Sequence, residues 1–311
     1  MQSYIGDRNE QPFGTASAIL PDGRKVIAIA RQSAKNGLGI VVLNSMDGIN
    51  WTTNFKPHNT SLAGVVINPT TGVITTINQV VTSNQIVVSS SSDFGATWTT
   101  VSSTFTGGVT AALTYSTWNC MAYDKFNDRI IITNKNAQSL STLFYPILQS
   151  TDGGATWSAL YTKPNNGRTV TSNLMTTDGG PYSVIGRITS STATESELFL
   201  CESGNPTYRT VVNPTGLTTF TQGTAIGAIS WNPLSRLYLQ YSINQNLTGY
   251  LVLDPDSYVT TNTAVAGLIS GEVLGAVCYN SGSQGFVGST RSSATTATVS
   301  QTQQRIIKSK Y

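Results

Sequence analysis

One unit of sequence recurs along this chain at a spacing of about fifty residues. A short apolar strand with small residues runs into a turn rich in Asn, Asp, Pro or Gly, and a second apolar strand follows. Six copies can be read: SAILPDGRKVIAIA from Ser17, GVVINPTTGVITTI from Gly64, NCMAYDKFNDRIIIT from Asn119, NLMTTDGGPYSVIGRI from Asn173, GAISWNPLSRLYLQYS from Gly227 and GAVCYNSGSQGFVGS from Gly275. Their turns centre on Asp22, Asn68, Asp124, Asp178, Asn232 and Asn280, stepping by 46, 56, 54, 54 and 48 residues. A period of that size with several short strands belongs to propeller blades; helical repeats are shorter or show a 3.6-residue period. The stretch before each copy has room for two further strands, which completes a four-stranded antiparallel blade.

The expectation is therefore an all-β chain, a six-bladed β-propeller in a single domain over residues 1–311. Its blades start near residues 14, 62, 109, 170, 224 and 272. Residues 1–11 and 298–311 are left for ring closure or docking. Small pairs open several first strands: Ala63-Gly64, Ala111-Ala112, Gly227-Ala228 and Gly275-Ala276. The innermost strands of a propeller crowd together, and bulky side chains there would clash.

A second motif lies inside the first three units. Ser91-Ser92-Asp93-Phe94-Gly95-Ala96-Thr97-Trp98 and Ser150-Thr151-Asp152-Gly153-Gly154-Ala155-Thr156-Trp157 both fit S-x-D-x-G-x-x-W. Ser45-Met46-Asp47-Gly48-Ile49-Asn50-Trp51 is one residue shorter between Asp and Trp. Segments at Ser203–Tyr208 and Asp254–Tyr258 look like weakened versions with Tyr for Trp. Asp and Ser can bond turn amides and hold a hairpin shut. Gly supplies a positive φ. Trp buries a ring between blades and keeps its N–H near the wet rim. These residues suit structure rather than catalysis, and no copy continues into a calcium loop ending in Glu.

The motif resembles the Asp-box, or bacterial neuraminidase repeat, of sialidase-like β-propellers. The resemblance implies Asp-box turns between the third and fourth strands of a blade. A working sialidase of this kind would need three Arg, a Tyr–Glu pair and an Asp, the first Arg in an Arg-Ile-Pro motif near the N-terminus. The nearest string is Gly186-Arg187-Ile188-Thr189, in mid-chain and without the Pro. No catalytic residues are assigned. If an unrecognised carboxylate pair exists, Glu10, Glu195, Glu197 and Glu272 are its candidates.

Charge narrows the partners. Charged residues are 11% of the chain, and 18 Lys and Arg against 15 Asp and Glu give a net of +3. That balance does not predict nucleic-acid binding, which needs clustered cations. In a four-stranded meander the first-to-second and third-to-fourth turns share one end, so most Asp fall there. The loops at the other end are expected to hold Arg31, Lys35, Arg168, Arg187 and Arg291, a candidate surface for an anionic glycan. His58, the single histidine, supports neither a triad nor a metal site. Cys120, Cys201 and Cys278 are spaced as core thiols, with no metal knuckle. No cofactor is implied.

The first ten residues lack a basic-then-apolar leader, and no run is long enough to span a bilayer. The expected setting is a host cytoplasm and then a virion. Asp-box propellers are similar to modules of phage tails and surface appendages. The resemblance thus implies a non-catalytic structural or adhesion protein, with other virion proteins, further copies of itself or surface glycans as partners. A sialidase-like glycoside hydrolase and a cellular lectin-like or scaffold propeller are the alternatives.

Overall fold

The computed structural model describes residues 11–33, 37–58, 62–80, 85–106, 121–133, 143–164, 170–176, 182–190, 196–202, 206–212, 226–232, 237–242, 249–253, 260–264, 272–280, 285–292 and 306–308. Among the described residues the regular structure is all β. The chain divides into two compact units. The first comprises residues 1–176 and 204–208; the second comprises residues 177–203 and 209–311.

The first unit opens with β1 (Gln11–Ile19), β2 (Lys25–Ser33), β3 (Gly37–Ser45) and β4 (Thr52–His58). They form an antiparallel sheet in that order. β5 (Leu62–Ile67), β6 (Ile74–Val80), β7 (Gln85–Ser91) and β8 (Thr99–Ser102) form a second sheet of the same plan. The third sheet departs from four strands. β10 (Met121–Asp124), β11 (Arg129–Thr133), β12 (Leu143–Ser150) and β13 (Thr156–Pro164) are extended by β9 (Thr104–Phe105), which pairs parallel to β13. β14 (Val170–Thr176) completes this unit's strands.

In the second unit, β15 (Tyr182–Ser190), β16 (Ser196–Glu202) and β17 (Arg209–Val212) pair antiparallel in sequence order. β18 (Ile226–Asn232), β19 (Leu237–Ser242), β20 (Gly249–Leu253) and β21 (Thr260–Ala264) make a four-stranded meander. β22 (Glu272–Asn280), β23 (Gly285–Ser292) and β24 (Ile306–Lys308) make a three-stranded one. Strands begin near five of the six expected blade starts. The sixth, near residue 109, lies outside the described residues, and the first described strand of that sheet is β10.

The core of the first unit explains the strand sequences. Val26, Ala28, Ala30, Ile40 and Val42 from the first sheet meet Val65, Ile67 and Ile74 from the second. Val66, Ile77, Ile86 and Val88, on the second sheet's other face, meet Met121, Ile130, Ile132, Leu148 and Trp157 of the third. A sheet covered on both faces needs apolar residues at successive positions, and β5 reads Leu-Ala-Gly-Val-Val-Ile accordingly. The first strands run close together. A Cβ on Gly14 would stand 3.3 Å from the Gly64 Cα, and one on Gly64 would stand 3.1 Å from Met121 Cγ. Small residues at these strand starts therefore answer to crowding between neighbouring sheets.

Candidate functional site

Three turns of the first unit share one internal hydrogen-bond pattern, each built around one Asp. They join β3 to β4, β7 to β8 and β12 to β13. In each, a buried Ser ends the incoming strand. Its hydroxyl donates to Oδ1 of the Asp two residues on: Ser45 to Asp47 at 2.9 Å, Ser91 to Asp93 at 2.8 Å and Ser150 to Asp152 at 2.8 Å. The same hydroxyl accepts a glycine amide, from Gly48 at 2.9 Å, Gly95 at 2.7 Å and Gly154 at 2.8 Å. The Asp then accepts the amide of the residue before the Trp, from Asn50, Thr97 and Thr156. That residue's side chain returns to Asp Oδ2, at 2.7 Å from Asn50, 2.5 Å from Thr97 and 2.6 Å from Thr156. The first turn is one residue shorter, and the longer Asn50 side chain does there what Thr does in the other two.

These bonds favour ionised carboxylates. The amides of Asn50 and Ile49, then the side chains of Asn50 and Ser45, hold Asp47 well below the usual carboxylate range. The Thr97 hydroxyl and amide, with the Ser91 hydroxyl, bring Asp93 down to about 2. Burial opposes ionisation of Asp152, and the bonds from Thr156 and Ser150 outweigh it. At neutral pH none of the three is a proton donor, so none suits a general acid.

The turns also hook neighbouring sheets together. A Cβ on Gly95 would stand 2.9 Å from Val42 of the first sheet, and one on Gly154 would stand 2.9 Å from Val88 of the second. Both glycines have positive φ, at 86° and 99°, so turn geometry and close approach both exclude a side chain. Asn54 of β4 donates to the Phe94 carbonyl at 2.9 Å, and the Arg24 guanidinium lies 4.6 Å from the Phe94 ring centroid. Lys56 Nζ lies 4.8 Å from the Trp98 ring centroid.

The strand-one-to-strand-two turns join at the same end. Asp22 accepts the Arg24 amide at 2.9 Å. Asn68, in the β5–β6 turn, donates to the Tyr123 hydroxyl at 2.5 Å and to Asp128 at 3.2 Å. Tyr123 in turn donates to Asp128 through a short hydrogen bond. Buried Asp124 accepts from Asn127 and from Arg129, each at 2.8 Å, and Arg129 also donates to Gln149 and to the Pro206 carbonyl.

The tryptophans differ. Trp51 and Trp98 are half-buried, and each indole N–H donates within its own turn, to Gly48 O at 3.2 Å and Gly95 O at 3.1 Å. Trp157 is fully buried. Its N–H donates to Ser103 Oγ at 3.2 Å, and Ser103 donates to Gly154 O at 2.5 Å. Trp157 thus corrects the expectation of an N–H near the wet rim: the segment from Ser103 to Thr106 lies over it and satisfies the donor. Sequence reading missed Ser103, because nothing local to it signals a role 54 residues away.

The expected basic surface needs revision. Arg31 lies in β2 rather than a loop and is buried, with its guanidinium 5.3 Å from the Phe55 ring centroid. Arg187 and Arg291 also lie within strands, β15 and β23, rather than in loops. Lys35 and Arg168 lie outside the described residues. So do Glu10 and Glu195, while Glu197 and Glu272 fall in β16 and β22. Burial, with Lys56 nearby, pushes His58 down to about 4, so it carries no charge at neutral pH. Among the described residues no group of three or more His, Cys, Asp or Glu could hold a metal ion, and no helix is long and apolar enough to cross a membrane. Cys201 is fully buried in β16. Tyr208, at the Trp position of the weakened fourth turn, packs edge-on against Tyr161, with centroids 5.2 Å apart.

A protein of unknown function from Dyadobacter fermentans aligns over 97% of this chain and 95% of its own, at 15% identity and a TM-score of 0.54. The β-propeller domain of Cps50 (Swd1) from Myceliophteria thermophila covers 88% of this chain and 78% of its own, at 9% identity and a TM-score of 0.53. This fold is a β-propeller. An α-L-arabinanase from Penicillium chrysogenum, solved with arabinobiose, covers 90% and 89%, at 12% identity and a TM-score of 0.51. At these identities the likeness carries fold alone. No protein-family model matches the chain, and no curated protein matches it.

Proposed function

We propose that this propeller is of the six-bladed, sialidase-like kind, with Asp-box turns, and that it serves as a non-catalytic docking or adhesion module of a virus particle, a tailed phage in the first instance. One observation carries the non-catalytic part. Between Gln11 and Thr176 the acids are six Asp: Asp22, Asp47, Asp93, Asp124, Asp128 and Asp152. Each accepts hydrogen bonds that close or brace a turn. Glycoside hydrolysis needs two carboxylates facing a shared cleft, one of them able to hold a proton near neutral pH. Carboxylates fixed in turns make a stiff module, which is what docking to other virion proteins or to a surface glycan requires. The low charge and the Ser, Thr and Gly richness fit a surface exposed on a particle.

Mass spectrometry of purified particles tests the setting. Recovery of this chain in fixed stoichiometry with virion proteins is the expected result. Absence from particles, together with turnover of fluorogenic sialosides or other glycosides by the purified chain, would overturn the reading in favour of an enzyme.

A further inference from the structure

Along β4 every second side chain is half-buried. Asn54, Lys56 and His58 are partly covered, while Thr53, Phe55 and Pro57 between them are exposed. Asn54 donates to the Phe94 carbonyl and the Lys56 ammonium stands over the Trp98 ring, so this face of β4 is turned to the β7–β8 hairpin of the second sheet. His58 continues the same face, at the end of β4 away from the Asp47 turn.

The His58 imidazole is badly placed to carry charge. Its Nε2 is closed off from solvent and has no hydrogen-bond partner among the described residues. A second proton would make both ring nitrogens donors, with nothing on Nε2 to accept. The neighbouring charge has the wrong sign as well. Strands β1 to β8 contain no carboxylate; Asp22, Asp47 and Asp93 all lie in the turns. The cations of these strands are Lys25, Arg31 and Lys56. Lys25 pairs with Ser45 beside the turns, and Arg31 is in register with Gly39 and Pro57, on the other face of the sheet. The β3 partner of His58 is Leu38, which brings no charge. Lys56 is thus the charged residue that shares its face. Burial first, and then the Lys56 charge, hold the imidazole down to about 4 from an ordinary 6.5.

We infer that His58 is a pH-sensitive latch on the joint between the first two sheets: neutral, it lies in the face that β4 turns to the second sheet, and charged, it swings outward and draws the end of β4, with Lys56, off Trp98. An imidazolium without an acceptor, two residues from a like charge, regains solvation only by leaving that face. The inference goes beyond the docking role proposed above and does not depend on what the module docks. The unfolded chain takes up the proton near 6.5 and the folded chain near 4, so stability is full above 6.5 and falls as pH drops from 6.5 toward 4. That window lies above the one in which Asp93 acts, below 3.8.

The chain has a single histidine, so NMR of the full chain shows one imidazole. Its titration should have a midpoint near 4, and the Trp98 indole N–H and the amides of Asn54, Phe55, Lys56 and His58 should shift with it. A midpoint at the ordinary 6.5 overturns the inference, and so does a Trp98 indole that stays in place while His58 charges. The Trp157 indole should not move at that midpoint; if both indoles shift together, the event is general acid unfolding and the latch is refuted. Lys56→Gln removes the neighbouring cation and should raise the midpoint, and an unmoved one overturns the part given to Lys56. Urea unfolding followed by circular dichroism gives a separate readout. The parent should lose stability between pH 6.5 and 4, and His58→Gln should be flat there; an equal slope in the variant overturns His58 as its source. The parent titration needs no substitution, so it decides the matter even where the variant does not fold.

Discussion

The turns ending in Trp51 and Trp157 are written in nearly the same residues and sit in different surroundings. In both, Ser, Asp and the residue before Trp close the same bonds. Trp51 stays half-buried with its N–H on its own glycine carbonyl. Trp157 is sealed by β9, which leaves the second sheet and pairs parallel to β13, with Thr104 N donating to Ala155 O and Thr106 N to Trp157 O, both at 2.9 Å. The motif determines the turn; a neighbouring strand determines what the indole contributes to stability.

Removing the indole should separate the two turns most. Trp157→Ala opens a cavity among Val88, Ile130 and Leu148 and should cost about 3–5 kcal/mol, whereas Trp51→Ala should cost less than half of that. Urea unfolding followed by circular dichroism measures both, and equal losses would show that β9 adds nothing. Ser103→Ala is next. It leaves the Trp157 N–H buried without its acceptor and should cost about 1–3 kcal/mol, with no counterpart at the first turn. Within the third turn, Gly154→Ala meets both positive φ and Val88, while Gly153→Ala, with φ of 71° and open space around it, meets backbone strain alone. The second should cost about 1 kcal/mol and the first more; thermal melting would rank them.

The smallest effect is electrostatic. Asp93 titrates lower folded, at about 2, than at its ordinary 3.8. A depressed carboxylate contributes stability above its unfolded value, and that contribution is lost as pH falls through the folded one. The parent should therefore lose stability as pH drops from 3.8 toward 2, and Asp93→Asn should flatten that part of the profile. An unchanged acid limb in the variant would place the loss at other carboxylates.

The second and third turns could be read from sequence because every bond closing them spans four residues or fewer. Ser91, Asp93, Gly95 and Thr97 answer one another along a single hairpin, so their spacing encodes the geometry. The first turn was legible despite its missing residue, since Asn50 supplies the longer reach. Arg31 is not legible in this way: strand alternation fails to say that a cation will be covered, and sequence alone points it to a loop rather than to the buried place it takes in β2.

What the sequence determined by itself was the period, the turn chemistry and the small residues where first strands crowd, because these follow from short-range hydrogen bonds and from alternation along a strand. The tertiary structure alone decided that Trp157 would be sealed, that Ser103 would serve it and that β9 would join a sheet other than β8's. Those outcomes depend on segments some fifty residues apart reaching the same place, and burial at such a meeting point is set by the packing of remote strands, which no local spacing records.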